Sequence, residues 1–201
     1  MAKTTFAEEI YLRALTGKVV GESILGGYNK VAFVSVKNTI CSAISAAAEA
    51  AFIMTSKGRA IHLIAEDGNA DQVAASVEEF DPEAVILMFG GETPIEETKK
   101  LFVETLKALS GADLDADIII HVRIFAAGGL DQALKDSEVE EYLTNSDVYV
   151  YTVDLDRGLV IYNSVYFEEK PTLERLGELP VTAEHADLLN RSLRDKTLTW
   201  A

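Results

Sequence analysis

Glu83-Ala-Val-Ile-Leu-Met-Phe89, closed by Gly90-Gly91 and followed by Glu92-Thr93-Pro94-Ile-Glu-Glu97, sets the reading of the whole chain. The run Ala84 to Phe89 is the longest clean apolar stretch in the sequence. It lacks the polar alternation of a half-exposed strand, so it predicts a strand buried on both faces, as in a parallel sheet covered by helices. The residues after it predict a helix. Pro94 sits at an early helical position, Glu96 and Glu97 oppose the positive end of the helix dipole, and Leu101, Phe102, Leu106 and Leu109 supply a buried side.

The same rhythm extends in both directions. Upstream, Asp81-Pro82 breaks a predicted crossover helix over 69–80, in which Val73, Val77 and Phe80 form one stripe and Asp71, Glu78 and Glu79 lie off it. Before that come a strand at Ala60–Ala65, an alanine-rich helix at Ile40–Ser56 capped by Asn38 or Thr39 and ended by Gly58, and a strand at Val31–Val36. Downstream, the pattern predicts a strand at Asp117–Phe125, a helix at Leu130–Leu143 and a strand at Asp147–Val153. Five strands joined by four helices over 31–153 predict an α/β fold. We expect a three-layer, doubly wound, mostly parallel sheet, Rossmann-like or flavodoxin-like.

The flanks are read as additions to one α/β domain spanning 1–201. In region 1–30, residues 4–16 predict a helix stopped at Gly17, and Lys18–Ile24 pairs with Lys30–Val36 in a hairpin around Gly26-Gly27-Tyr28-Asn29. In region 154–201, Asp154-Leu-Asp-Arg-Gly158 turns into an antiparallel strand at Leu159–Phe167, completing an added hairpin near the C-terminus. Pro171 and Pro180 punctuate the tail, and 182–195 predicts a last helix ending near Trp200.

Composition narrows the function classes. The 201 residues carry 18 Lys+Arg against 33 Asp+Glu, a formal net charge of −15, which argues against nucleic acid or an anionic membrane as partner. No stretch approaches the roughly 20 apolar residues of a membrane span, and no secretory signal pattern opens the chain. The single cysteine, Cys41, excludes an internal disulfide and a cysteine-rich zinc site. These features point to a cytoplasmic protein with no metal site.

In open α/β sheets, ligands bind where the carboxyl ends of strands lead into helix N-termini. Those turns hold the candidate ligand-binding residues Asn38, Thr39, Gly90, Gly91, Thr93, Gly128 and Gly129. The glycines let a backbone approach a ligand closely, or merely permit the tight turn. No dinucleotide or Walker motif accompanies them, so the cofactor is left unnamed. Cys41 lies near a helix start after Lys37, where a thiolate is favoured, and reads as a nucleophile or as a small buried filler. His121 and Arg123 interrupt Ile118-Ile-Ile-His-Val-Arg-Ile-Phe125, and strand alternation places both on one face. There His121 is the candidate acid or base and Arg123 the candidate holder of an anionic group, unless both sit on a partly covered edge. His62 breaks an apolar strand in the same way. Asp113-Leu-Asp115-Ala-Asp117 invites a calcium reading but puts Ile118 and Ile124 where an EF-hand needs Gly and Glu. Tyr149, Tyr151, Tyr162 and Tyr166 suit either an oligomer contact or the end of the core.

Two stretches resemble known families. Glu79-Phe-Asp-Pro-Glu-Ala-Val-Ile-Leu-Met88 resembles the helix-to-strand junction of cobalamin-binding Rossmann-like domains. Those domains carry Asp-x-His-x-x-Gly after their first strand, where this chain has Lys37-Asn-Thr-Ile-Cys-Ser42 and no histidine. Ala43-Ile-Ser-Ala-Ala-Ala-Glu-Ala-Ala51 and Val85-Ile-Leu-Met-Phe-Gly-Gly-Glu-Thr-Pro-Ile-Glu-Glu97 are similar to bacterial microcompartment shell domains, whose middle strands join by a hairpin. The expectation is therefore a protein that binds a small ligand, anionic or neutral, at the strand ends, as a homo-oligomer. The alternative is an assembly subunit without catalysis.

Overall fold

The computed structural model describes residues 4–112, 114–167 and 170–193. Asp113 of the calcium reading and Trp200 of the tail lie outside the described residues. Seven strands form one sheet in the order β2-β1-β3-β4-β5-β6-β7. The first five, β1 (Lys30–Val36), β2 (Arg59–Ala65), β3 (Ala84–Met88), β4 (Asp117–Ile120) and β5 (Val148–Asp154), pair in parallel. The last two, β6 (Leu159–Phe167) and β7 (Pro171–Pro180), add antiparallel.

Side-chain alternation along the strands feeds two cores. In β1, Ala32, Val34 and Val36 face one core while Val31 and Phe33 face the other. α3 (Ala70–Phe80), α4 (Ile95–Gly111) and the helices within 122–144 cover the first face, and α2 (Thr39–Ser56) covers the second. Burial on both sides is why β3 carries no polar residue, as its sequence predicts. The helix α3 crosses from β2 to β3, and β1 lies between those two strands. The carboxyl ends of β1 and β3 therefore lead to helices on opposite faces, leaving a crevice there.

The N-terminal region departs from its sequence reading. Lys18–Ile24 is not a strand, and no hairpin joins it to β1. Instead α1 (Phe6–Val19) runs through Gly17 and continues as a π-helical turn over Val20–Ile24. The cause is a helix-to-helix contact. A Cβ on Gly17 would lie 2.3 Å from the Ile44 carbonyl oxygen, and one on Gly21 would lie 2.2 Å from that of Ala48. These glycines let α1 press its backbone onto α2, and that packing overrides the β-preference of Val19, Val20 and Ile24.

Two other predicted elements change their bounds. The strand predicted at Asp117–Phe125 ends at Ile120, and α5 (Val122–Ala126) follows, capped by His121. The helix predicted at Leu130–Leu143 is split into α6 (Gly129–Ala133) and α7 (Ser137–Thr144), because Asp136 caps α7 by accepting the Glu138 N–H at 3.1 Å. The prolines of the tail bound β7, an edge strand where a missing ladder N–H is tolerated. The tyrosines divide: Tyr151 is fully buried, Tyr149 stacks on Tyr162 with 5.2 Å between centroids, and Tyr166 is exposed.

The last helix, α8 (Ala183–Leu193), docks on α1 through a small cluster of Leu12, Leu188, Leu189 and Leu193. His185 Nε2 lies 3.0 Å from the Thr16 hydroxyl, which itself donates to the Leu12 carbonyl. Burial, then the nearby Arg13 charge, pushes the His185 pKa down to about 4.

Two outcomes follow from this packing. Gly21→Ala drives a methyl into α2 backbone and should cost about 1–3 kcal/mol in urea or thermal unfolding, whereas Gly27→Ala, with open space around it, should change stability by less than about 0.5 kcal/mol. Because the folded-state pKa of His185 is depressed, protons bind the unfolded chain preferentially below about pH 6.5. Between there and pH 4, wild type should lose about 2–3 kcal/mol more stability than His185→Asn, measured by urea unfolding across that window.

Candidate functional site

The crevice between β1 and β3 is closed by its own loops. Asn38, in extended conformation, caps α2 by accepting the Cys41 N–H at 2.8 Å. Its side-chain amide donates to the Gly90 carbonyl at 3.0 Å and to the Thr93 hydroxyl at 2.9 Å. Glu92 accepts the Ile40 N–H at 3.1 Å, placing a carboxylate over the start of α2. Gly91 has φ 75°, and a Cβ there would sit 2.2 Å from Asn38 Oδ1, so only glycine lets the loops meet. The anion position at this helix start is thus taken by the chain's own side chains.

Beside these loops lies a cavity of about 30 Å³. Arg13 and Thr16 of α1, Ile40, Cys41 and Ile44 of α2, and Gly91 line one part. His121, Val122 and Arg123 at the end of β4, Val153 of β5, and Leu189 and Leu193 of α8 complete it. Two guanidinium groups therefore share one small space. Arg13, with a side chain 13% exposed, pairs with Glu9 at 3.1 Å. That carboxylate also accepts from the hydroxyls of Thr4 and Ser192. Among the described residues, Arg123 has no ion-pair partner, and its buried Nε has no hydrogen-bond partner. Burial and then the Arg13 charge pull the Arg123 pKa down, and burial does the same to Arg13 against the pull of Glu9. Both stay charged at neutral pH, since guanidinium starts so high.

The other ionisable groups here are neutral. His121 is buried, and its ring meets Tyr151 edge-on with 5.4 Å between centroids. Burial, then Arg13 and Arg123, pushes its pKa down to about 3, against a hydrogen bond to the Phe89 backbone. Its Nδ1 accepts the Arg123 N–H at 3.1 Å, so the neutral ring carries its proton on Nε2. Burial raises the Cys41 pKa to about 11, outweighing hydrogen bonds from Asn38 and Gly90. The helix start that favours a thiolate in the sequence is overridden by desolvation, and the thiol keeps its proton.

The structure gathers some of the residues picked out from sequence and disperses others. His121, Arg123, Cys41 and Gly91 line the cavity. His121 and Arg123 arrive there by a helical cap and turn, not by strand alternation. Asn38, Gly90 and Thr93 build the adjoining loops, and a Cβ on Gly90 would lie 2.8 Å from the Arg123 stem. Thr39 is exposed at the start of α2. Gly128 and Gly129 start α6, where Gly129 packs against Ile124, and neither lines the cavity. Arg13 escaped the sequence reading, because Glu9 and Arg13 at i, i+4 look like an ordinary surface pair on a helix.

A second polar chain crosses the edge of the sheet. Ser35 Oγ lies 2.9 Å from His62 Nε2, and His62 Nδ1 lies 3.3 Å from Glu49. The order resembles a nucleophile relay, but Ser35 has no exposed surface, so no substrate reaches its oxygen. The chain ties β1, β2 and α2 together.

Comparison with known proteins adds the following. No curated protein sequence matches. Among solved structures, an R. palustris ABC transporter solute-binding protein in complex with benzoate is similar, with TM-score 0.52 and 11% identity, over 85% of this chain and 64% of that one. A protein assigned as a branched-chain amino acid ABC transporter from Rhodospirillum rubrum gives TM-score 0.46 and 19% identity, over 70% of this chain and 37% of that one. The chain thus spans less than two thirds of the length of either, and the likeness to the first shows a shared mixed α/β fold. Residues 9–188 match a protein family described as "Uncharacterized protein", and the chain belongs to that family.

Proposed function

We propose that this protein binds a small anion in the cavity between Arg13 and Arg123, at the carboxyl ends of a Rossmann-like, flavodoxin-like sheet. The observation that carries the reading is the uncompensated charge. Arg123 is half-buried with no ion-pair partner among the described residues, its Nε has no hydrogen-bond partner, and a second guanidinium lines the same space. Desolvating a charge without a partner is expensive, and an anionic ligand supplies what the fold omits. Arg123 and Arg13 hold the anion, His121 positions the backbone of Arg123, and Asn38, Gly90, Gly91 and Thr93 hold the rim. The R. palustris neighbour, crystallised with benzoate, supports a small-molecule ligand on this architecture. Binding fits better than catalysis, because Cys41 keeps its proton and His121 is engaged within the protein.

The test is an anion titration followed by thermal unfolding. Acetate or inorganic phosphate should raise the melting temperature of wild type. Arg123→Met should lower the affinity for the responding anion at least about tenfold, while the ligand-free variant melts at or above wild type, because an unpaired buried charge has been removed. An unchanged melting temperature with both anions, or a response that survives Arg123→Met, would end this reading.

A further inference from the structure

We infer that the ligand is a monocarboxylate carrying a small apolar body, held head-first by the two arginines with its body against α8. The inference rests on the anion-binding reading and deepens it by naming the ligand class.

Charge comes first. Two guanidiniums against one carboxylate, Glu9, leave a single positive charge over. Glu92, the other carboxylate near Cys41, is exposed and engaged with the Ile40 N–H outside the cavity. His121 and Cys41 add no charge at neutral pH. A monoanion therefore balances the site, whereas a dianion would leave a net negative charge in a poorly solvated space.

Shape points the same way. Among the lining side chains, the two guanidiniums are the charged donors. Most of the other lining side chains are apolar, Ile40, Ile44, Val122, Val153, Leu189 and Leu193. A carboxylate presents both oxygens at one end, which suits guanidinium edges. A phosphate directs oxygens tetrahedrally, so some would face leucine and valine with no donor.

Size then identifies the wall that moves. A cavity of about 30 Å³ has room for a group no larger than a water or two, so the body needs more space than the closed form provides. Strands β4 and β5 and helix α2 belong to the two large cores. The outer wall, α8, is held by a four-leucine cluster, by the buried contact of His185 with Thr16 at 3.0 Å and by surface bonds such as Arg191 to Glu8 at 2.9 Å. It is also tied at Ser192 to Glu9, the carboxylate that neutralises Arg13. An anion bridging the two guanidiniums shares Arg13 with Glu9, which stays beside it, and the shift of that carboxylate loosens its bond to Ser192 of α8. The body then takes its place between Val153 and Leu189.

The experiment is calorimetric titration of the full chain with acetate, benzoate, succinate, inorganic phosphate and the neutral benzyl alcohol. Benzoate should bind at least about tenfold more tightly than acetate, with succinate, phosphate and benzyl alcohol weaker than either. Leu189→Asn should weaken benzoate about tenfold and leave acetate within about twofold. Hydrogen exchange of wild type covers the case in which that variant does not fold: benzoate should change exchange within 183–193. Phosphate or succinate binding more tightly than both monocarboxylates would overturn the ligand class and leave the anion pocket standing. Unaltered exchange in 183–193 despite benzoate binding would overturn the placement of the body. Failure of every anion to bind would overturn both this inference and the reading beneath it.

Discussion

The close contact of α1 with α2 governs what the rest of this molecule can do. Gly17 and Gly21 bring two helix backbones together where any side chain would collide with a carbonyl of α2. The contact lays α1 beside the crevice at the strand ends and carries Arg13 to a cavity whose other polar walls come from loops far away in sequence. It also provides the platform on which α8 docks through Leu12. Without it, Arg13 would be a solvated residue on an isolated amphipathic helix, and the cavity would have neither its second guanidinium nor its outer wall.

The electrostatics of that cavity follow from desolvation more than from any single pair. Burial acts on every ionisable group in it, and each responds according to its chemistry. The imidazole and the thiol adopt their neutral forms, because their ordinary pKa values lie near enough to neutrality to be moved past it. Guanidinium cannot follow, so its charge must find a counter-ion. Arg13 finds Glu9 one helical turn away, and Arg123 has none among the described residues. Two fixed cations and one carboxylate among neutral groups leave a positive charge over, which is what the anion-binding proposal rests on. The proton-transfer chemistry that a histidine and a cysteine suggest is suppressed by the same burial.

The loops at the rim show how the chain prevents a less selective outcome. A helix start flanked by glycines is a general anion site. Here Asn38 and Glu92 occupy that position and stitch the β1 and β3 loops to one another. The backbone amides at the start of α2 are thereby engaged by the chain itself, and the guanidiniums and apolar side chains behind them line the cavity.

Periodicity in the sequence was enough to establish the parallel βα core from Val31 to Val153, because strands buried on both faces leave long apolar runs that few other folds require. It was also enough to point to the strand ends, and to mark His121, Arg123, Cys41 and the Gly90-Gly91 turn as unusual there. It failed where local preference and long-range packing disagree. Valine and isoleucine at 19, 20 and 24 read as strand, yet the glycines between them serve a helix contact whose partner is more than twenty residues away. His121 reads as a strand residue, yet it ends β4 and caps a helix. The pairing of Arg13 with Arg123 leaves no trace in the chain, since the two are separated by more than a hundred residues and Arg13 looks like an ordinary surface residue beside Glu9. Whether a charge is a solvated surface group or a buried one depends on what covers it, and that covering exists only once α1, α5 and α8 have packed over the carboxyl ends of the strands.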